Sequence, residues 1–422
     1  MSVEKFIAGR ILGSNQNKGS ISGPIVKIGI IGIALGISVM LLTVSIVLGF
    51  KKEITGKITG LTTHIAITSA NVNESNEPEP ISISDDSLKA ISALAFVKHI
   101  QSTVFKNGLL KTEHENEGIL LKGVDSDYDF DFIRKHLVAG RLPVFIDTQV
   151  SGDILVSESL VNRMDLRLGE KITVYFLSQH EVYDSLAQET VVKSEQRSRR
   201  FTICGIFKTN FADFDDKLSY VDKRQLQRIN YWDSASVANY EITVRDFSAV
   251  DHDVSQLEDL LGYNYRVSSV KELYFNIFIW LEKLDINGII VVVLMILVAT
   301  INMITALLIL ILERATMVGL VKALGMSNAG VREIFLWISL RLTLRGMLWG
   351  NIFGIGLCLI QYYFHPARLD SETYYVDHVV VDINWWYFLL LNLGTFAVCA
   401  LMLILPTFII TRLTPVRTLK FD

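Results

Sequence analysis

Four long apolar runs, separated by charged segments, organise this chain. They cover residues 25–50, 288–312, 344–364 and 385–410. A helix of about 20 apolar residues crosses a hydrocarbon core of about 30 Å with its backbone polar groups satisfied. The pattern therefore predicts four transmembrane helices.

The second run continues directly into a short charged segment, residues 313–325, which reads ERATMVGLVKALG. Apolar side chains in it follow the i, i+3, i+4, i+7 spacing of one helix face. They are Met317, Leu320, Val321 and Leu324. The charged residues are Glu313, Arg314 and Lys322, and the segment stops at Gly325. These features predict an amphipathic helix that docks at a membrane surface.

A polar region, residues 51–271, separates the first two runs and is long enough to form its own core. Short runs rich in β-branched and aromatic residues predict strands at 64–68, 118–124, 153–156, 171–176, 201–207 and 240–244. Helices are predicted between them at 84–95, 157–164 and 222–229. The region is thus expected to be an α+β domain of one or two lobes.

The charge distribution predicts the orientation. Residues 51–285 contain nine more acidic than basic residues, so the remainder is five units positive, which gives the net charge of −4. Because short cytoplasmic segments carry an excess of Lys and Arg, the large domain is expected outside and both termini inside. The first run begins after Pro24 and is too long for a cleavable signal, so we expect it to remain as an anchor.

The predicted fold class is an α-helical membrane protein with four transmembrane helices plus a large extracytoplasmic α+β domain inserted between helices 1 and 2. The N-terminal residues 3–12 have one apolar face and suit an interfacial helix. The expected divisions are a cytoplasmic amphipathic helix and linker (1–23), transmembrane helix 1 (24–50), the outer domain (51–271), a stalk with transmembrane helix 2 (272–312), a coupling helix with its connection (313–343), transmembrane helix 3 (344–364), a short outer loop (365–384), transmembrane helix 4 (385–411) and a cytoplasmic tail (412–422).

The sequence contains little that indicates catalysis or metal binding. No GxxxxGK[ST] phosphate loop is present, so the chain cannot hydrolyse ATP by that route. Four alternating aspartates in DSDYDFD, residues 125–131, resemble the start of a calcium loop. However, Phe130 and His136 stand where that loop needs Gly and Glu. An acidic turn at a strand end is therefore favoured over a metal site.

Small and polar residues inside the apolar runs leave alternatives open. Gly29, Gly32 and Gly36 are spaced so that another helix could approach closely, although glycine is also simply frequent in membrane helices. Asn302 is expected to face protein or a wet cavity rather than lipid, and helix packing is the favoured interpretation.

A basic cluster stands out within the acidic domain, at Lys193, Arg197, Arg199 and Arg200. It ends residues 177–200, a segment that lies between two predicted strands and is too long for a tight turn. The segment is either a projecting hairpin that binds a partner or a solvated excursion. Charge alone favours the solvated excursion.

The order of these features resembles the FtsX/MacB-like ABC permeases, most closely their lipoprotein-releasing LolC/LolE branch. The matching stretches are FIAGRIL (6–12), residues 22–51 through the first run, LKGVD (121–125), residues 151–174, residues 201–222, ERATMVGLVKALG (313–325) and PVRTL (415–419). Together with their surroundings they span nearly the whole chain.

The resemblance implies a non-catalytic permease subunit in a bacterial inner membrane. Its implied partners are a cytoplasmic ABC ATPase dimer, which alone would bind ATP and Mg, and a second permease copy or paralogue. The helix after the second span would couple to the ATPase, through Glu313, Arg314, Met317, Leu320, Val321, Lys322, Leu324 and Gly325. No cofactor, metal or nucleic acid is expected on this chain.

In the LolC/LolE branch, a cavity between the first and second spans of two permeases takes acylated proteins. Here the resemblance places Gly36, Val39, Met40, Thr43 and Asn302 at that cavity. A hook hairpin captures a periplasmic carrier in the LolC-like subunit, and residues 177–200 occupy the same slot without its proline. The partner-binding residues there would be Tyr183, Lys193, Arg197, Arg199 and Arg200.

The expected function is therefore release of lipoproteins from the inner membrane toward the outer membrane, driven by the ATPase partner. Two alternatives are an FtsX-like mechanotransmitter that regulates a periplasmic cell-wall enzyme and a MacB-like exporter.

Overall fold

The structure is a computed structural model that describes Phe6 and residues 22–71, 78–112, 115–146, 148–184 and 189–403. Apart from Phe6, the predicted N-terminal helix lies outside these residues, as does the predicted tail. The chain falls into two compact units. The helical unit comprises Met1–Lys52, Trp280–Arg368 and His378–Asp422, and the α/β unit comprises Glu53–Ile279 and Leu369–Asp377.

The described helices are numbered in chain order. They are α1 (Ser22–Leu61), α2 (Asp85–Ser92), α3 (Asp131–Lys135), α4 (Glu158–Arg163), α5 (Ala212–Asp215), α6 (Lys223–Asn230), α7 (Val250–Leu261), α8 (Val270–Leu273), α9 (Phe275–Glu313), α10 (Ala315–Ala323), α11 (Asn328–Phe364), α12 (Ser371–Tyr374) and α13 (Trp385–Met402). The described strands are β1 (Ile65–Ser69), β2 (Val97–Lys111), β3 (Asn116–Val124), β4 (Leu137–Gly140), β5 (Asp153–Ser157), β6 (Lys171–Asp184), β7 (Glu189–Phe207), β8 (Leu218–Asp222), β9 (Asn239–Val244) and β10 (Tyr265–Ser269).

Four of these helices, α1, α9, α11 and α13, are long and apolar enough to cross a membrane, as the hydrophobic runs predict. The helices extend beyond the runs because charged residues are compatible with a helix and only mark where lipid exposure ends. Thus α9 joins the predicted stalk and second span in one helix, and α11 begins at Asn328 rather than at residue 344. Ser327 caps α11 by accepting a hydrogen bond from the Gly330 amide at 3.2 Å.

Glycines on α1 allow α9 to pack closely against it. A Cβ added at Gly29 would lie 3.0 Å from Ala306 Cβ, and one at Gly32 would lie 2.6 Å from Asn302 Nδ2. The close-approach interpretation of this glycine spacing is confirmed, and so is the packing interpretation of Asn302.

A second row of glycines, on α11, packs against another side of α1. Added Cβ atoms at Gly346, Gly350 and Gly354 would approach atoms of Ile33, Ile37 and Leu41 to within 2.7–2.9 Å. The residue numbers of these contacting partners increase in the same direction along both helices, so α1 and α11 run parallel. Helix α1 is therefore held on two sides within the helical unit.

The α/β unit is built on one mixed ten-stranded sheet, with the path β10-β1-β9-β2-β3-β8-β5-β7-β4. Strand β6 pairs with both β2 and β7, which closes the strands β2, β3, β8, β5, β7 and β6 into a ring. The long strand β2 links this ring to the open part, because its first half pairs with β9 and its second half with β3. Aliphatic and aromatic side chains, including Ile154, Phe176 and Val221, fill the core.

The predicted strands and helices of this region are confirmed, with shifts at their ends. The largest shifts are in β6 and β7, whose paired backbones reach Asp184 and Glu189. Residues 177–184 and 189–200 thus form an antiparallel strand pair, and binding of a partner there stays a prediction. The acidic turn after β3 is confirmed as well. There the Asp127 amide donates to Asp125 Oδ1 at 3.1 Å and the Asp131 amide to Asp129 Oδ1 at 2.9 Å.

Candidate functional site

The segment between the second and third apolar helices forms a separate short helix. Helix α9 ends at Glu313, Arg314 leaves the helical conformation with φ −100° and ψ 16°, and α10 follows at once. Gly325 then adopts φ +97°, a conformation that favours glycine. The chain can therefore turn sharply from α10 into α11.

The predicted apolar stripe of α10 only partly coincides with the face that packs within the chain, because Met317 packs against the helical core. Val318, 1% exposed, belongs to the same buried cluster as Phe335 and Ile338 of α11. By contrast, Leu320 is 55% exposed and Leu324 is 80% exposed. Met317 and Val321 are half-buried, and Glu313 is exposed. Hence Val318 and Met317 hold α10 to the helical unit, and Leu320 and Leu324 point outward.

Some of the predicted cavity residues on α1 are buried within the helical unit, and the cavity between two permeases stays a prediction. Gly36 is buried, and a Cβ added there would lie 3.5 Å from Ala299 Cβ. Met40 is wholly buried in the helical core. Val39 and Thr43 are half-buried, and Asn302 packs on Gly32. A lipid-filled cavity and a protein interior are both apolar, so the sequence could not tell which face of α1 is open.

An open groove of about 620 Å³ lies on another side of α1, between α1 and α11. The hydrophobic pattern of the sequence did not predict this groove. It is lined by Lys27, Ile30, Ile31, Ala34, Leu35, Ser38, Trp349, Phe353 and Leu357. The available signal was the row of bulky residues at 349, 353 and 357, beside the small residues at 346, 350 and 354 on the neighbouring side of the same helix.

A reciprocal amide pair links α11 to α13. Asn351 Nδ2 donates to Asn392 Oδ1 at 2.7 Å, and Asn392 Nδ2 donates to Asn351 Oδ1 at 2.9 Å. In an apolar setting each amide satisfies the other, which specifies how these two helices pair. The pair lines a second groove of about 510 Å³ with Trp385, Trp386 and Phe388.

The residues of the basic cluster on the hairpin lie in different environments. Arg197 lies over the Tyr231 ring at 3.8 Å from its centroid and donates to the Arg228 carbonyl at 3.1 Å. Arg197 therefore fastens β7 to the end of α6, and its role as a partner-binding residue stays a prediction. Arg200 is exposed and Arg199 is half-buried. Tyr183 and Lys193 lie in the paired backbone of β6 and β7, and their side chains are outside the described part of the structure.

A buried ion pair occupies the α/β unit at the end of α1, where the sequence analysis assigned no role. Lys122 Nζ lies 2.8 Å from Glu241 Oε1, and the two side chains are 1% and 2% exposed. The same ammonium lies 3.3 Å from the Leu61 carbonyl, in the last turn of α1. Helix ends leave carbonyls without intrahelical partners and favour a nearby cation. Lys122 therefore caps α1 and joins it to β3 and β9.

Neighbouring polar groups complete this network. Gln101 Nε2 donates to Glu241 Oε2 at 2.8 Å, and Thr103 Oγ1 donates to Glu241 Oε1 at 3.3 Å. Tyr128 places its ring 5.0 Å from Lys122 Nζ. Burial, followed by the Glu241 carboxylate, raises the pKa of Tyr128 well above its ordinary value, so its hydroxyl stays neutral. The detectable signal was a lysine within the apolar second half of strand β3, in the LKGVD stretch.

Comparison with known proteins agrees with this architecture. The model of the MacB-like periplasmic core domain matches residues 28–260, and that of the FtsX-like permease C-terminal region matches residues 289–415. The lipoprotein-releasing system transmembrane protein LolC of Xylella fastidiosa is 22% identical over 404 residues, covering 93% of each chain. LolE of Haemophilus influenzae is 23% identical over 443 residues, covering 100% of each chain.

Among solved structures, the periplasmic region of MacB from Actinobacillus actinomycetemcomitans aligns with a TM-score of 0.34 at 14% identity. It covers 52% of this chain and 95% of that one. The extracellular domain of the transporter YknZ aligns with a TM-score of 0.31 at 15% identity, covering 49% and 99%. From the family match over more than half of its length, this chain belongs to the family of proteins with a MacB-like periplasmic core domain, here followed by an FtsX-like permease region.

Proposed function

We propose that this chain is the permease subunit of an ABC transporter of the mechanotransmission type, which releases lipoproteins from the inner membrane toward the outer membrane. The LolC and LolE relatives, alignable over nearly their whole length, support the substrate class. The observation that carries the coupling role is α10, a short helix between two candidate spans with Leu320 and Leu324 exposed.

The proposed topology has four transmembrane helices and both termini in the cytoplasm. The region between α1 and α9, close to the predicted residues 51–271, then lies in the periplasm. Its excess of acidic residues, set against the positive remainder of the chain, supports this orientation. The cytoplasmic side consequently contains α10 and the start of α11.

The motor is proposed to be a separate ATPase dimer that binds ATP and Mg, since the chain has no phosphate loop. A second copy or paralogue of the permease would complete the complex, and a periplasmic carrier would receive the lipoprotein. Arg200, exposed on the β6–β7 hairpin, remains our proposed contact for that carrier. The chain itself supplies binding and movement rather than catalysis.

In the proposed mechanism, α9 transmits movement along its length. It is a single helix of 39 residues, roughly 58 Å long at 1.5 Å per residue. A helix without a break transmits displacement with little absorption, so movement of the ATPase against α10 would reach the periplasmic end of α9. The buried Lys122–Glu241 pair would hold the end of α1 firmly to the periplasmic domain during this movement.

The acyl chains of the substrate are proposed to contact the open face of α9 rather than Met40. Apolar side chains there follow helical spacing and are about half exposed or more; they are Ile290, Val293, Leu294, Leu297 and Ile301. A second permease copy facing this surface would enclose an apolar space with two helical walls. Acylated proteins could leave the membrane through such a space without exposing their chains to water.

Photo-crosslinking tests this proposal. A photoreactive residue replaces Val293 in membranes that contain the ATPase and a lipid-modified protein, and we expect an ATP-dependent crosslink to that protein. Leu390, 61% exposed on α13, is the matched control position and should give none. Full ATPase activity without any acylated protein captured at Val293 would instead favour the FtsX-like mechanotransmitter. Capture of a non-acylated peptide would favour the MacB-like exporter.

A further inference from the structure

The groove between α1 and α11 has a distinctive shape within the helical unit. Its floor is formed by Ala34 and Ser38, both buried, at the level where Gly350 brings the two helices together. Ser38 Oγ lies 2.8 Å from the Ala34 carbonyl and 2.9 Å from the Gly350 carbonyl, so the hydroxyl is satisfied inside the floor. The surface that lines the groove is therefore almost wholly apolar.

The walls of the groove are large and exposed. Ile31 and Leu35 stand on the α1 side, 56% and 61% exposed, and Trp349 and Phe353 stand on the α11 side, 49% and 57% exposed. The two aromatic rings are stacked with centroids 5.9 Å apart. Such walls enclose a flexible hydrocarbon chain better than a flat helix face does, and the volume is in the range of small-molecule sites.

Two cations lie at one end of the groove. Lys27 lines it, and Arg345 lies one helical turn before Trp349 on α11. Because α1 and α11 run parallel, with Gly346 next to the Ile30 carbonyl, both cations are at the same end. Both are exposed, and within the described part of the chain neither forms an ion pair. They are available to an anion at that end.

The length of the groove indicates the kind of ligand. From Lys27 to Ser38, eleven residues at 1.5 Å each give roughly 16 Å, about half of a hydrocarbon core of about 30 Å. A ligand with an anionic group at the cations and a chain along the groove thus reaches about the middle of the bilayer. These are the dimensions of one lipid in one leaflet.

We propose that this groove is a binding site for an acidic membrane phospholipid, whose phosphate contacts Lys27 and Arg345 and whose acyl chain lies between Leu35 and Phe353. The site is separate from the α9 face proposed for the lipoprotein. Since the lipid contacts both α1 and α11, its occupancy stabilises their pairing. The orientation of the chain in the membrane affects only which leaflet supplies the lipid.

Lipid titration of the full-length chain in detergent, followed by native mass spectrometry, tests the site. Wild-type protein should retain phosphatidylglycerol more strongly than phosphatidylcholine. At about fivefold per cation, K27Q with R345Q should weaken phosphatidylglycerol binding roughly 25-fold. Phosphatidylcholine binding should weaken much less, because its choline cation offsets the charge of its phosphate. Ile31→Trp, which fills the groove, should remove the strongly bound lipid altogether.

Matched controls are K283Q, at an exposed lysine near the opposite end of the bundle, and Leu390→Trp, at an exposed position of α13. Neither should alter retention. Equal retention of both lipids, or equal loss in the controls, overturns the proposal. So does a result in which phosphatidylglycerol binds only after residues 1–21 are deleted, since the chain's own segment then fills the groove. A disulfide between two copies of a Leu35→Cys variant in membranes also overturns it, because the groove is then a dimer interface.

Discussion

Lys122 and Glu241 form a fully buried ion pair, 2.8 Å between Nζ and Oε1, and the same lysine caps the last turn of α1 through the Leu61 carbonyl. Glu241 in turn accepts hydrogen bonds from Gln101 and Thr103. A buried charge is tolerated only when it is paired and its remaining hydrogen-bonding capacity is used. The geometry therefore makes this pair the point where the last turn of α1 is fixed to the sheet within the α/β unit.

Breaking the pair from one side should destabilise the α/β unit strongly. Lys122→Met leaves the Glu241 carboxylate buried without a counter-ion and removes the α1 cap, so we expect a loss of about 3–5 kcal/mol. Hydrogen exchange at the amides of β9 in the full-length chain measures this loss. Lys208→Met is the control, because Lys208 pairs with Glu158 at the surface and should cost at most about 1 kcal/mol.

Replacing both partners should cost less than replacing one. In Lys122→Met with Glu241→Met, no unpaired charge is buried, and apolar packing replaces the ion pair. The double variant is expected to exchange more slowly at β9 than Lys122→Met alone. If the double variant is the less stable of the two, the pair contributes chiefly through its other hydrogen bonds and not through charge compensation.

His64, just after α1, should make the α/β unit sensitive to acid. Its Nδ1 accepts a hydrogen bond from the Val244 amide at 3.0 Å, and burial is the main cause that lowers its pKa below 6.5. The unfolded chain then binds more protons than the folded one, so stability is lost as pH falls through about 6.5 toward the folded pKa. Thermal midpoints at pH 7.5 and pH 5.5 measure this loss.

The His64→Leu variant isolates the contribution of this side chain. It loses the hydrogen bond at every pH, which gives a constant decrease, but it should lose less than the wild type between pH 7.5 and pH 5.5. His252→Gln, at an exposed position of α7, should keep the wild-type pH dependence. An unchanged pH dependence in His64→Leu would show that another group causes the acid sensitivity.

The contact between α1 and α11 should be intolerant of a single methyl group at Gly350. An added Cβ there lies 2.8 Å from the Ala34 carbonyl oxygen and from Ile37 Cβ, and backbone cannot move away cheaply. We expect Gly350→Ala to destabilise the chain in detergent by about 1–3 kcal/mol. Gly356→Ala on the same helix meets nothing within 4 Å and should be neutral or stabilising. Equal thermal midpoints for the two variants would contradict the packing described.

The sequence was sufficient to predict the elements with a strong periodic or compositional signal. The apolar runs predicted all four long helices, because few other structures tolerate about 20 apolar residues in succession. The β-branched runs predicted strands such as β3 and β9. The residues at which these helices and strands begin and end were less predictable. Helix α11 continues through Arg332 and Arg341 to Asn328, since charge marks an aqueous boundary without ending a helix.

Side-chain environments within these elements could not be predicted from the sequence. Met40 and Ile31 are both apolar residues of α1, yet Met40 is buried in protein and Ile31 lines an open groove. Hydropathy cannot distinguish these two positions, because lipid and the protein interior are both apolar environments. Arg197 belongs to a basic cluster in the sequence, and only the fold brings the Tyr231 ring beneath it. In both cases the environment of the side chain depends on contacts with residues that are distant in the sequence.

Leu320 is predicted to bind the ATPase. It is 55% exposed on α10, while Val318 holds α10 to the rest of the helical unit, so Leu320→Asp should leave the chain folded. Burying a leucine against a partner contributes about 1.5–3 kcal/mol. Loss of that contact therefore weakens ATPase binding by roughly tenfold to a hundredfold. Co-purification of the ATPase and its stimulation in membranes measure the effect.

Leu168→Asp, at a leucine of similar exposure in the α/β unit, is the matched control and should retain both ATPase binding and stimulation. The thermal midpoint of Leu320→Asp alone should equal that of the wild type, which separates lost coupling from lost folding. A Leu320→Asp complex that assembles and stimulates its ATPase normally contradicts the coupling role of α10. Charge reversal at Glu313 would then be the next test of the same junction, because Glu313 is the last residue of α9 and lies directly before the break at Arg314.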